Sequence, residues 1–189
     1  MGKITWKPGT LVYPIPAVLV SCGDEKEKNI LTVAWTGTIC TDPAMTYISI
    51  RKERYSYDMI KRTGEFCINL TTEKLAYATD FCGVKSGRDI DKFKEMKLTP
   101  QKASMIHAPM IEESPVSIEC KVEEIKELGS HDMFIAKVVA VNIDEQYMLE
   151  NGKFDMEKCK LIAYSHGEYY QLGEKIGKFG YSVKKNKSN

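Results

Sequence analysis

Two long runs, residues 116–128 and 134–143, face each other across Gly129-Ser130-His131-Asp132, and this pair decides the fold class. In the first run Val116, Ile118, Cys120 and Val122 recur at every second position, and in the second Ile135, Val138, Val139 and Val141 supply β-branched bulk. A period of two is that of a half-buried strand, and a short Gly/Ser/Asp link between two such runs predicts a hairpin.

Further strands are expected upstream, at 18–22, 30–39, 45–50 and 66–70, with a break at Thr41-Asp42-Pro43. A last one is expected at 161–164. Helices are few and short. One is predicted to start at Ser56 as N-cap, with Asp58 in its first turn, Lys61 and Arg62 in its last, and Gly64 ending it. Thr72 is placed to cap a second over 73–79, and 89–95 suggests a third after a loop at 83–88. Residues 100–115, with prolines at 100, 109 and 115, read as loop, and 184–189 as a polar, mobile tail. Many strands and few helices point to a closed or nearly closed β-barrel with flanking helices, in one domain spanning 1–189. A doubly wound parallel sheet is disfavoured, since βα alternation lapses and no G-x-G-x-x-G or Walker-A pattern occurs.

Bulk composition narrows the function. A formal net charge of +1 argues against a nucleic-acid binder held by phosphate contacts. No apolar stretch reaches membrane-spanning length, and residues 1–7 lack the apolar segment of a secretory signal, so a cytoplasmic setting is expected. The cysteines Cys22, Cys40, Cys67, Cys82, Cys120 and Cys159 form no C-x-x-C pair and do not cluster with the three histidines, so no metal site is expected. Reduced thiols packed as small apolar side chains are the plain reading, with Cys40 and Cys82 of interest for their neighbours.

Two segments could carry chemistry. The strand over 46–50 delivers Arg51 and Arg54 into the helix at Ser56, where an anion would meet a hydroxyl, free amides and guanidinium groups. Around Trp35-Thr36-Gly37-Thr38 there is a flat apolar wall beside small side chains and accessible backbone. Taken singly, each segment also suits a structural role: a capped surface helix with solvated arginines, or a core tryptophan beside a turn.

Taken in order, the residues resemble a known family. Asn29-x5-Trp35-Thr36-Gly37, Asp42-Pro43, Ser49-Ile50-Arg51-x2-Arg54-Tyr55-Ser56 and Thr63-Gly64-Glu65-Phe66-x2-Asn69 are similar to the flavin reductase-like, FMN-binding split-barrel family, above all its flavoredoxin-type branch. The likeness continues at Cys82-Gly83-Val84-x-Ser86-Gly87-x2-Ile90-Asp91-Lys92-Phe93, at Gly129-Ser130-His131-Asp132, and at Tyr164-x4-Tyr169-Tyr170-x-Leu172-Gly173. The resemblance implies a mainly β, six-stranded split barrel, a homodimer, and FMN as cofactor. By motif position, Asn29, Trp35, Thr36, Gly37 and Thr38 would border the ring and ribityl chain. Ser49, Ile50 and Arg51 would offer backbone and charge, and Ser56 would hold the phosphate. Lys85, Ser86 and Lys92 would add contacts, and Tyr164 would stack.

His131 is a water-exposed turn residue on its own spacing. The resemblance places it near the flavin, as a residue that tunes the reduced ring; His107 and His166 have weaker claims. No protein acid, base or nucleophile is expected, because hydride transfer from a nicotinamide requires none. Three functions stay open: an NAD(P)H-dependent flavin reductase, an electron carrier reduced by a redox protein, and a barrel that binds a small ligand without redox turnover.

Overall fold

Residues 18–23 are apolar but for Ser21, and in the computed structural model, which describes residues 1–183, every one of them is buried. They form β2 (Val18–Gly23), preceded by the two-residue β1 (Ile15–Pro16) and followed by β3 (Lys28–Val33), β4 (Thr36–Thr41), β5 (Ala44–Ile50) and β6 (Glu65–Asn69). The short pair β7 (Pro100–Gln101) and β8 (Met110–Ile111) precedes the long hairpin β9 (Val116–Glu127) and β10 (Asp132–Ile143), and β11 (Ile162–Ser165) and β12 (Glu168–Gln171) complete the set. The helices are α1 (Tyr55–Thr63), α2 (Ala76–Val84) and α3 (Lys92–Glu95).

The mainly β split-barrel expectation holds, with seven strands in the main sheet rather than six, ordered β3-β2-β6-β9-β10-β5-β4. The barrel is not closed by a ladder. Its two end strands, β3 and β4, are consecutive in the chain and are joined by Ala34 and Trp35 alone. The run over 30–39, expected as one strand, is therefore two. A chain that passes from one edge of a sheet to the other must leave the ladder, and here the Trp35 carbonyl instead accepts from the Ser49 N–H at 2.8 Å.

Both faces of β2 and β3 are covered. Val18, Val20 and Cys22 face an interior shared with Phe66, Phe134, Ile48 and the α1 residues Tyr57, Met59 and Ile60. Leu19 and Ile30 face the other way, onto Leu75, Ala78 and Cys82 of the α2 region and Phe93 of α3. Phe66 and Phe134 are fully buried, so truncating either to alanine is expected to cost about 3–5 kcal/mol. Asn69, also fully buried, stitches strands together: its Nδ2 donates to the Leu19 carbonyl at 3.0 Å, and its Oδ1 accepts from Ile111 N–H at 3.0 Å and Ser117 Oγ at 2.8 Å.

Several local expectations shift. Ser56 is not an N-cap: Arg54 takes that position, with extended backbone, and Ser56 is the second helical residue. Gly64 does end α1, in the left-handed region at φ 68°, with its N–H on the Ile60 carbonyl. Thr72 makes no side-chain cap; a 3-10 turn over Glu73–Leu75 leads into α2, which runs on through Gly83. A helix can continue there because Gly83 lets α2 approach β3, where a Cβ would lie only 3.3 Å from Thr32. The stretch after 164 also forms a hairpin, β11–β12, because His166 (φ 51°) and Gly167 (φ 94°) supply the two positive φ values of a tight turn. The expectation of a mobile tail at 184–189 lies outside the described residues.

Candidate functional site

The sheet's split opens onto two adjoining cavities. One, of about 360 Å³, lies over the junction itself and is lined by Trp35, Ser49, Ile50, Arg51, His131 and Tyr164, together with Tyr13, Thr32 and Tyr169. The other, of about 210 Å³, is lined by Asn29, Ser56, Lys85, Ser86 and Lys92, with Glu53, Tyr55, Gly87 and Arg88. Leu31 and Arg54 border both, so the two form one groove with an aromatic end and a polar end.

At the aromatic end, Trp35 and His131 are in contact at 4.2 Å between ring centroids, with their planes tilted by 44°. They are too close to hold a ring between them and together make one wall. Trp35 stays 37% exposed. Tyr164 packs edge-on against Tyr13 at 6.0 Å and Tyr169 at 5.5 Å, forming a second aromatic group in the same cavity. His131 Nδ1 lies 2.9 Å from the Ser130 hydroxyl, and the next residue anchors the strand start. Asp132, fully buried, accepts from the Tyr57 hydroxyl at 2.6 Å and pairs with Lys52 at 3.4 Å, and the Tyr57 bond above all keeps its carboxyl below the usual range. Burial, aided by the Arg51 guanidinium and opposed by Glu53, pushes the His131 imidazole below its ordinary pKa, which favours the neutral ring at pH 7.

The polar end is more tightly built. Asn29 is 4% exposed and Ser56 1%, and Asn29 Nδ2 donates to Ser56 Oγ at 2.8 Å. That fixes the hydroxyl as an acceptor toward Asn29, and its own proton can turn to the adjacent Cys22 sulfur or to an acceptor in the cavity. The first amides of α1, at Tyr55 and Ser56, have no carbonyl one turn earlier to serve them. Lys92 is 3% exposed, and its Nζ donates to the carbonyls of Ile30 and Cys82, each at 2.8 Å. An ammonium has three donors, so one remains beyond these two bonds. Burial, first of all, lowers its pKa to about 8, with the Cys82 and Cys22 thiols acting the other way and Arg54 reinforcing the drop. Arg54 joins the two ends: its Nη2 donates to the Gly83 carbonyl at 2.7 Å. Two buried hydroxyl and amide groups, free helix amides and a buried ammonium make a donor set suited to an anion.

Of the residues singled out from sequence, the groove gathers Asn29, Trp35, Ser49, Ile50, Arg51, Ser56, Lys85, Ser86, Lys92, His131 and Tyr164. Thr36, Gly37 and Thr38 lie instead on the edge strand β4, where Thr36 Oγ1 donates to the Tyr47 carbonyl at 2.6 Å and Gly37 packs on the Tyr47 ring. Cys82 lies outside both cavities, and burial pushes its thiol up to about 11, which suits a packing role rather than a reactive thiolate. Cys40 sits by the β4–β5 turn, its Sγ 3.4 Å from the Asp42 carbonyl, also outside the groove. Arg54, expected beside the anion at the strand–helix junction, lines both cavities, whereas Tyr13 and Arg88 have no expected role in the sequence. Arg88 stands inside the quoted Ser86-Gly87-x2-Ile90 motif, while Tyr13 carries no local signal.

Residues 10–173 match the model of the flavin reductase like domain. The chain belongs to the flavin reductase-like family. Its place is in the flavoredoxin-type branch. The structure of a flavoredoxin from Desulfovibrio vulgaris (Miyazaki F) superposes with a TM-score of 0.89 at 32% identity, covering 97% of this chain and 100% of that one. A flavoredoxin from Methanosarcina acetivorans gives 0.87 at 26% identity, with the same coverage. An NADH-dependent FMN reductase of Streptomyces nodosus subsp. asukaensis is 23% identical over 138 residues, 72% of this chain and 73% of that one. Family membership places this chain among flavin-binding proteins and matches a groove with an aromatic wall at one end and a donor set suited to an anion at the other. Among the described residues, no helix is long and apolar enough to cross a membrane.

Proposed function

We propose that the groove holds one FMN, its ring against Trp35 and His131 and its phosphate at the Asn29–Ser56–Lys92 end, and that the protein is an NAD(P)H-dependent flavin reductase. The observation that carries this reading is the sharing of Leu31 and Arg54 by the two cavities, which sets an apolar wall and an anion site on one continuous path. When bound, FMN supplies the hydride- and electron-transfer chemistry. The chain's residues bind and orient. Ser56, the first amides of α1 and Lys92 neutralise and grip the phosphate; Arg54 spans the middle; Trp35 and the neutral His131 give an aromatic surface of low charge. Trp35 is partly exposed, so that end of the groove is open to a second planar reactant, and this favours a nicotinamide donor.

The likeness to a flavoredoxin at 32% identity supports a second reading, an electron carrier reduced by a redox protein. Anaerobic mixing separates them. A reductase loaded with FMN loses its yellow colour rapidly on addition of NADH or NADPH and goes on to reduce excess free FMN. A carrier responds slowly to both nucleotides and rapidly to a reduced ferredoxin-type protein. Protein that stays colourless after FMN is added removes both.

The same reading includes a homodimer in the cytoplasm. Ile39 on the edge strand β4 and Val141 on β10 are about half exposed, which supports a second copy as cover. Light scattering at the mass of two chains is the expected result, and a monomer at micromolar concentration removes the dimer from the account.

A further inference from the structure

One side of the polar cavity is lined by the loop between α2 and α3. Within that loop the Arg88 N–H donates to Ser86 Oγ at 3.2 Å and the Asp89 N–H to the Ser86 carbonyl at 3.3 Å, which folds 86–89 into a tight turn. Gly87 lies flush against Asn29, and a Cβ there would fall inside the Asn29 amide. The Arg88 side chain then crosses to the opposite wall. Its Nη1 donates to the Glu53 carbonyl at 3.0 Å, and its guanidinium lies 5.4 Å from the centre of the Tyr55 ring. Tyr55 is itself pinned, its hydroxyl donating to Glu27 at 2.7 Å. Arg88 thus bridges the loop and the β5–α1 turn at the exposed edge of the polar cavity, which both segments line.

We infer that Arg88 is a specificity-determining residue: its bridge to Glu53 makes the polar cavity a dead end that accepts a flavin ending in a monophosphate and rejects a flavin dinucleotide. This rests on the proposal that the groove binds a flavin. A phosphate monoester presents three free oxygens and a charge approaching −2 to the donors at Ser56 and Lys92. In a dinucleotide the same phosphorus has exchanged one oxygen for a bridge to a second phosphate and an adenosine. That extension has to leave between the 86–89 turn and the β5–α1 turn, where the Arg88–Glu53 bond and the Tyr55 stack stand. Admitting it breaks both contacts, and a blocked contact of this kind is how a site rejects a ligand whose reactive end it could otherwise hold.

The test is a pair of titrations, FMN and FAD, against the wild-type chain, Arg88→Ala and Arg88→Gln. Wild-type protein is expected to favour FMN by at least about tenfold, and Arg88→Ala to lose most of that preference, chiefly by binding FAD more tightly. Arg88→Gln keeps a donor able to reach the Glu53 carbonyl but no charge, and is expected to keep most of the preference. If Arg88→Ala and Arg88→Gln weaken both flavins alike and leave their ratio at the wild-type value, Arg88 acts only through its charge and the inference is overturned. Equal wild-type affinities for FMN and FAD overturn it too. Wild-type protein that binds neither flavin overturns the functional reading itself, a result distinct from either of these.

Discussion

The two ends of the groove are built on opposite principles. At the polar end Asn29, Ser56 and Lys92 are almost wholly buried, and each has a hydrogen-bond partner fixed by the backbone or by another of the three. At the aromatic end Trp35 and His131 lean on each other, and Trp35 is more than a third exposed. A preorganised donor set gives affinity, since its ordering cost is met in folding, while an open flat wall gives access to a second reactant. Binding strength is therefore expected to reside in the phosphate end and redox behaviour in the ring end.

Substitutions can break this division, and the largest effect belongs to Lys92. Lys92→Met removes the buried ammonium and strands the carbonyls of Ile30 and Cys82, so FMN affinity is expected to fall by roughly 100-fold and stability by about 3 kcal/mol. Fluorescence titration and urea unfolding measure the two. A stable protein with unchanged affinity would place the phosphate elsewhere. The same lysine predicts opposite pH trends. Its folded pKa, about 8, lies below that of an unfolded lysine, so from about pH 8 to 10.5 the unfolded chain holds more protons and this group adds stability as pH rises. Over that interval Lys92 loses its charge in the apo protein, so FMN affinity falls with rising pH while riboflavin, without a phosphate, shows no such fall. Parallel titrations of the two ligands from pH 7 to 10 check it.

Ser56→Ala comes next, with an expected loss of about tenfold in FMN affinity from one hydrogen bond to a charged group and an Asn29 amide left without its acceptor. Trp35→Ala is expected to cost about fivefold, the worth of one stacking face in a half-open site. His131→Asn is expected to leave FMN affinity within about twofold yet shift the two-electron midpoint potential by about 30 mV. Spectroelectrochemistry reads that shift, and an unchanged potential would make His131 only a part of the wall.

The contrast between the ends also explains what was legible in the sequence. The long hairpin, the break at Asp42-Pro43, the left-handed Gly64 and the motif order from Asn29 to Asn69 carried the fold and the family, because strand period, turn chemistry and residue spacing are local signals. Ser56 has the sequence signature of a helix cap because a hydroxyl stands beside a helix start. Its real partner is the side chain of Asn29, 27 residues away. Asn69 belongs to the same motif run as Asn29 but serves the sheet, a difference visible only in its five buried partners. Thr36, Gly37 and Thr38 follow Trp35 directly, yet the chain crosses the split at Trp35 and carries them onto the outer edge strand. Arg54 and Arg88 act by reaching across the fold to backbone carbonyls 29 and 35 residues away, which no spacing rule encodes.

The central claim is that one FMN spans the groove and is held mainly by its phosphate. Calorimetric titration of FMN and riboflavin into the apo protein at pH 7 tests it most directly. The account predicts one FMN per chain, with riboflavin bound at least about 100-fold more weakly because it lacks the charged group. Equal affinities for the two, or no binding of FMN, would contradict it.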